Sequence, residues 1–270
     1  MTEFTKAHGN GNDFLIVEEW DSESVEDPSA FAEKYCERRF GVGGDGVLFL
    51  RRPEDATNDL RMVLLQPDGG EAEMCGNGAR CLVRYAVEEG YAREGETVAV
   101  ETLAGVREAV CEGDEVSVEM GVPSFDANDV PARRDVTEEV IEGWEVTAVN
   151  TGVPHAVTFV EDLDGVNVEE AALPVRHTDV FPEGANVNFV ERDGEALCVR
   201  TFERGVEDET LSCGTGAVAV AAVARRLGKT SQDEVRVETR GGPLTISFND
   251  ETGAVYMRGP AVLVYEGETV

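Results

Sequence analysis

The chain has 270 residues, 41% of them apolar, and sets 55 acidic side chains against 23 basic ones for a formal net charge of −32. That length holds one large domain or two ordinary ones with real cores, while the charge opposes binding to nucleic acid or to an anionic membrane. The longest apolar stretch, Ala217 to Ala224, is too short to span a bilayer. No charged-then-apolar leader precedes the first strand-like residues, so a cytoplasmic protein is expected. Only three lysines occur, Lys6, Lys34 and Lys229, and the acidic residues run along the whole chain. Such a surface suits molar salt, where screening over roughly 3 Å removes self-repulsion; plain solubility is the simpler alternative.

In chain order, the acidic segment 18 to 29 reads as surface helix and connection. Gly41-Val42-Gly43-Gly44-Asp45-Gly46 has the spacing of a dinucleotide fingerprint, but a charged helix-like segment precedes it and the strand-like Val47 to Leu50 follows. The fingerprint requires the reverse order, so a turn is expected. Met62 to Leu65 reads as a strand, and residues 77 to 89 as a helix ended by Gly90. Thr97 to Glu101 and Val116 to Glu119 are strands. The acidic segment 124 to 142 reads as more surface helix and connection. Further strands are Val157 to Val160, Val187 to Val190 and Leu197 to Phe202. A second helix covers 215 to 227 and ends at Gly228; it is apolar on nearly every side, so protein should surround it. Strands at Val235 to Glu238, Leu244 to Phe248 and Val255 to Met257 follow, and a last one at Val262 to Tyr265 returns to the first half.

The chain repeats itself. Cys75-Gly76-Asn77-Gly78-Ala79 recurs 138 residues later as Cys213-Gly214-Thr215-Gly216-Ala217, and the glycines ending the two helices are also 138 apart. Val100-Glu101-Thr102 recurs as Val237-Glu238-Thr239, and Met120 to Pro123 as Met257 to Pro260, both shifted by 137. The expected fold is α+β: two pseudo-symmetric halves, each a mostly antiparallel sheet wrapped round a central helix. The expected boundaries are residues 1–120 with 261–270, carrying Cys75, and 121–260, carrying Cys213.

Each repeated cysteine opens a helix and is followed by Gly-x-Gly. The first turn of a helix presents free N–H groups and the positive end of its dipole. That setting binds carboxylates and activates a thiol, and the glycines let a ligand reach the backbone. If the pseudo-twofold brings the two helix starts together, a substrate Cα has one sulfur on each face. One thiolate removes the α-proton, the opposite thiol supplies another, and the helix N–H groups stabilise the enediolate-like intermediate. A packed cysteine at a helix start is the bland reading, and matched duplication argues against it. For Cys36, Cys81, Cys111 and Cys198 the bland reading, a small buried apolar residue, is kept. Cys75 and Cys81 lack the second pair that zinc requires; a cysteine-based metal-binding or redox module is the non-enzyme alternative. His177 reads as an ordinary histidine, His8 as ordinary or as a support for Asn12, and Arg80 and Arg84 as partners of local carboxylates.

These residues carry a resemblance. Glu73 to Cys81 resembles the first cysteine signature of the diaminopimelate epimerase family, and Leu211 to Ala217 is similar to the second. His8 to Phe14, Gly152-Val153-Pro154-His155, Asn186 and Glu203-Arg204-Gly205 follow the family order, so the likeness covers nearly the whole chain. It implies interconversion of LL- and meso-2,6-diaminopimelate on the path to lysine, with no pyridoxal phosphate, metal or nucleotide, and a homodimer. By position it implies Cys75 and Cys213 as base and acid. Gly76-Asn77 and Gly214-Thr215 become the α-carboxylate cradle, and His155 and Glu203 poise the cysteines and orient the α-amino group. Asn12, Asn186 and Arg204 bind the polar ends of the substrate. Three positions depart from the common pattern. Gly46 replaces a glutamine seen in some members, Val153 replaces an asparagine, and Gln66 replaces an asparagine whose substrate hydrogen bond it can keep with one more methylene. A racemase or epimerase for another amino acid is therefore the alternative within the fold.

Overall fold

A computed structural model describes residues 1–270. The chain forms two compact units, Met1–Glu119 with Arg258–Val270, and Met120–Met257.

The first unit opens with strands β1 (Glu3–Gly9) and β2 (Asn12–Glu19), an antiparallel hairpin with Gly9 opposite Asn12. Its two-residue turn, Asn10-Gly11, has φ of 54° and 84°. Two positive φ values define a type I′ turn, which Asn-Gly favours and which matches strand twist. Helix α1 (Pro28–Tyr35) starts at Pro28 because Asp27 caps Ala30 N–H at 3.0 Å. Strand β3 (Gly46–Arg51) runs parallel to β2, and β4 (Leu60–Leu65) antiparallel to β3, with the short β5 (Glu71–Ala72) on its end. Helix α2 (Gly76–Glu88) follows, then β6 (Thr97–Thr102) parallel to β4, β7 (Gly105–Glu112) and β8 (Glu115–Glu119). The sheet wraps α2, ten of whose thirteen residues are buried.

The second unit repeats this order. After β9 (Glu139–Ile141) come β10 (Trp144–Asn150) and β11 (Pro154–Phe159), antiparallel. Helix α3 (Val168–Arg176) leads to β12 (Asn186–Asp193), parallel to β11, and β13 (Ala196–Glu203) with the short β14 (Asp208–Thr210). Helix α4 (Gly214–Arg226) then precedes β15 (Glu234–Thr239), parallel to β13, and β16 (Gly242–Phe248). Strand β17 (Val255–Pro260) follows, and β18 (Val262–Glu268) pairs with β1. The register repeats as the elements do. Leu60 opposite Val100 becomes Leu197 opposite Val237, shifted by 137, and Phe14 opposite Gly46 becomes His155 opposite Asn186.

Both central helices stop as their glycines require, with Gly90 at φ 80° and Gly228 at φ 66°. In α4, Ala217 to Ala224 are all buried. Its valines, Val218, Val220 and Val223, each contribute about 1.5–3 kcal/mol by leaving water.

Two expectations fail in part. Residues 124–142 hold no helix: Ser124 bridges to Asn150, Asp126 caps its own turn through Asn128 N–H, and the chain reaches β9 through turns. Pro123 and Pro131 and the short side chains that bond the backbone favour turns over helix. Glu18 and Glu19 lie in β2, and Glu19 is buried. It pairs with Arg51 at 2.7 Å and accepts the N–H groups of Ser24 and Val25.

Candidate active site

In the first unit, Cys75 is the N-cap of α2, in extended conformation (φ −140°, ψ 117°), and its sulfur accepts the Gly78 N–H at 3.4 Å. The hairpin brings Asn12 alongside. Asn12 Oδ1 lies 3.7 Å from Cys75 Sγ and accepts from Asn77 Nδ2 at 3.2 Å, while Asn12 Nδ2 donates to Asp45 at 2.8 Å. Beyond Asp45 stand Arg38, Asp13 and Lys6 in one ion-pair network. Burial raises the Asp13 carboxyl, but Arg38 and Lys6 outweigh it and hold it down at about 2. Asn12, Cys75, Gly76 and Asn77 are thus neighbours. Gln66 is exposed in the turn between β4 and β5, where its backbone pairs with Gly69 and Gly70.

Arg80 departs from the sequence reading. It meets no local carboxylate; it is fully buried and donates to Asn10 Oδ1 (3.0 Å), the Pro260 carbonyl (2.7 Å) and Asn77 Oδ1 (2.7 Å). Its place on the inward face of α2, against the hairpin turn, outweighs its preference for the surface. Arg84, one turn on, does pair as expected, with Glu88 at 2.9 Å.

In the second unit, Cys213 is the N-cap of α4, with Thr215 Oγ1 3.4 Å from its sulfur. Thr215 Oγ1 also lies 3.0 Å from His155 Nε2, and His155 Nδ1 lies 3.0 Å from Asn188 Nδ2. Asn188 Oδ1 in turn accepts the Thr201 hydroxyl at 2.9 Å. Those contacts fix the polarity. The amide N–H of Asn188 faces Nδ1, so the proton of the neutral imidazole sits on Nε2 and is donated to Thr215. Thr215 is then free to donate to Cys213. His155 is fully buried, and desolvation pushes its pKa down to about 3, with the Arg204 charge lowering it further. It is neutral at physiological pH and reaches Cys213 through Thr215.

Burial, then the Glu203 carboxylate, pushes the Cys213 thiol well above its ordinary range, against lowering by Thr215 and the Gly216 N–H. Glu203 is itself held by the Thr210 hydroxyl at 2.7 Å. Asn186 donates to the Pro154 carbonyl at 3.0 Å and accepts the Arg204 N–H at 2.7 Å. The Arg204 guanidinium rests on the Glu183 and Gly184 carbonyls, at 3.3 and 3.5 Å. His155, Asn186, Glu203, Arg204, Cys213, Gly214 and Thr215 therefore share one locality. Gly216 admits no side chain there, because a Cβ would stand 2.7 Å from Asn188 Oδ1.

The repeat explains one departure. Gly46 occupies the place that Asn186 holds in the second unit, and a Cβ on it would meet Leu64 Cδ1 and Leu65 O at 2.9 Å. Phe14, Leu48 and Leu64 fill the space that His155, Asn188 and Thr201 fill in the second unit. Sequence reasoning missed Asn188, Thr201 and Asp45. The signal for Asn188 was a lone amide inside the apolar run Val187 to Val190.

The fold recurs among solved structures. Over 100% of this chain and 99% of the other, it superposes on a phenazine biosynthesis protein of the PhzF family from Bacillus anthracis, with a TM-score of 0.73 at 20% identity. The sequence pattern of diaminopimelate epimerase matches residues 4–125 and 147–264. Diaminopimelate epimerases of Methanothrix thermoacetophila and Methanocella arvoryzae are 55% and 52% identical to this chain, each over 98% of it and 95% of the relative. The chain belongs to the diaminopimelate epimerase family.

Proposed function

We propose that the protein epimerises LL-2,6-diaminopimelate to the meso form, in lysine biosynthesis, by two-base chemistry on Cys75 and Cys213. The observation that carries this reading is the duplicated geometry: each cysteine caps a central helix at the same place in the repeat. One cysteine, as thiolate, takes the α-proton and becomes a thiol. The electron pair of the broken C–H bond moves into the carboxylate, giving an enediolate. The other thiol then protonates the opposite face and is left as thiolate. N–H groups at Gly76-Asn77 and Gly214-Thr215 receive the added carboxylate charge.

Glu203 and the His155–Thr215 pair set the protonation and direction of the Cys213 thiol. Arg204, held by neutral carbonyls, has a planar fork available for the distal carboxylate. Asn12, Asn186 and Gln66 take the remaining polar atoms. The reaction needs no pyridoxal phosphate or metal, and it proceeds in the cytoplasm, in a homodimer adapted to high salt. The supports are the chemistry of the thiol pair, which supplies both protonic steps, and the charge of −32.

The wild-type protein should keep its activity after dialysis against EDTA and with hydroxylamine present, and replacing Cys75 or Cys213 by Ala should abolish epimerisation with the melting temperature retained. Near-normal kcat in either variant contradicts the assignment. Turnover of another amino acid, but not diaminopimelate, in the wild-type protein favours the alternative substrate.

A further inference from the structure

Arg176 is the last residue of α3, and its side chain is only 12% exposed. Its guanidinium faces two ways. On one side, Nη2 and Nε donate to Glu207 Oε1 at 2.8 and 3.3 Å, and the same oxygen accepts the Gly205 N–H at 2.9 Å. The Glu207 N–H in turn reaches the Glu203 carbonyl at 2.8 Å. The turn 203–207 is closed in this way, with Gly205 at φ 94° and Glu207 at φ 58°. An L side chain such as that of Glu207 holds a left-handed conformation only where its surroundings impose it. The Gly205 N–H and then Arg176 keep the Glu207 carboxyl below its ordinary range, so the pair is charged at neutral pH.

On the other side lies Gly184, at φ 69°. A Cβ there would stand 1.3 Å from Arg176 Nη1 and 2.4 Å from its Cζ, so only glycine lets the loop cross the guanidinium. Packing does less for this loop: Pro182 and Glu183 are exposed, and a cleft of about 310 Å³ lined by Arg176 and the loop lies alongside. Arg204 depends on both supports. Its backbone belongs to the turn, with its N–H 2.7 Å from Asn186 Oδ1, and its Nη1 rests on the Glu183 and Gly184 carbonyls at 3.3 and 3.5 Å. One cation thus ties the turn that carries Arg204 to the loop on which its side chain lies. The first unit ties its matching turn without charge, through the Ser29 hydroxyl of α1 and the Gly69 carbonyl at 2.8 Å. We propose that Arg176 is a positioning residue: through Glu207 and Gly184 it sets where the Arg204 fork stands, and so selects a substrate whose distal carboxylate reaches that point. This deepens the proposed function and rests on it for the role of Arg204.

The test separates position from folding. In steady-state epimerisation of LL-diaminopimelate, Arg176→Gln should raise KM roughly five- to thirtyfold with kcat within about twofold, because a displaced fork weakens binding remote from the reacting carbon. Arg176→Lys keeps the charge but cannot lie flat against Gly184, and should recover part of the loss. A merely structural role lowers the active fraction instead, and with it apparent kcat, at constant KM. Added to Arg204→Lys, Arg176→Gln should cost less than about twofold more, since the fork it places is gone. An unchanged KM in folded Arg176→Gln, or full additivity with Arg204→Lys, overturns the proposal. Should the Arg176 variants fail to fold, Glu207→Gln carries the same test at an exposed residue: KM should rise about threefold or more, and an unchanged KM overturns the proposal. A crystal structure of the folded variant reads the position without turnover. Arg204 Nη1 should have left the Glu183 and Gly184 carbonyls, and an unmoved guanidinium overturns the proposal. If the wild-type protein does not epimerise diaminopimelate, the proposed function fails, and that crystal structure alone decides whether Arg176 places Arg204.

Discussion

Asn188→Leu tests the chain of hydrogen bonds beneath Cys213. The first unit shows that leucine fits such a position, since Leu48 occupies the matching one against Leu64. In the second unit the change removes the amide between His155 Nδ1 and the Thr201 hydroxyl, at 3.0 and 2.9 Å, with Asn188 and His155 fully buried. Each orphaned buried group costs about 1–3 kcal/mol, partly offset by the apolar gain, which leaves a net loss of about 2–4 kcal/mol. At about 2–4 °C per kcal/mol for chains of this size, the melting temperature should fall by about 5–15 °C. Activity should fall as well, roughly tenfold in kcat, because the imidazole no longer has one tautomer to present to Thr215. Adding Thr201→Val should restore part of the stability, since removing both partners costs less than removing one, without restoring kcat. A thermal melt and a coupled rate assay measure both. An Asn188→Leu protein with unchanged melting temperature and kcat would refute the view that this chain holds His155 in place.

Other expectations follow from the same geometry. With its pKa near 3 when folded, against an ordinary 6.5, His155 favours the folded state when neutral. The folded pKa is depressed, so the contribution is complete above pH 6.5 and is lost as pH falls towards 3. Its slope approaches about 1.4 kcal/mol per pH unit inside that window. His155→Gln should therefore flatten the fall in stability between pH 6 and 4 by about one proton, and an identical slope would contradict the burial argument. Arg204→Lys should lower kcat/KM for diaminopimelate by roughly 10- to 1,000-fold, because an ammonium cannot replace the planar fork; equal efficiency would remove Arg204 from the distal carboxylate. Raising KCl from about 0.1 M to 1 M shortens the Debye length from roughly 10 Å to 3 Å, so melting temperature and active fraction should both rise. Equal stability and activity at 0.1 M and 3 M would make the acidic surface a matter of solubility alone.

The central helices were legible because two independent signals agree at each: a Cys-Gly-x-Gly start and a glycine in the left-handed C′ position. The repeat then made the fold class readable, since one unit predicts the other. The opening hairpin was passed over although Asn10-Gly11 is a strong turn signal, because its strands carry Lys6, His8 and Asp13 among the apolar residues and break strict alternation. The acidic segment 124–142 misled for a different reason. Charge reports exposure, not conformation, and the turn-forming side chains decide the backbone there. Within the site, the motif residues were visible and their supports were not. Asn188 and Thr201 lie on neighbouring strands, and only the register of β12 and β13 puts them under His155. Arg80 was misread because a sequence shows that an arginine is charged, but not that Gly9 leaves room for it indoors.

The central claim is that two different cysteines act on opposite faces of one α-carbon. The most direct measurement is epimerisation of LL-diaminopimelate in D₂O, stopped at low conversion, with deuterium located by mass spectrometry in product and in unreacted substrate. The account predicts meso product carrying one deuterium at the inverted carbon, because the protonating thiol has exchanged with solvent, and recovered LL substrate that is still protiated. Product that retains the original proton, the sign of a single base delivering it back to the other face, would contradict it.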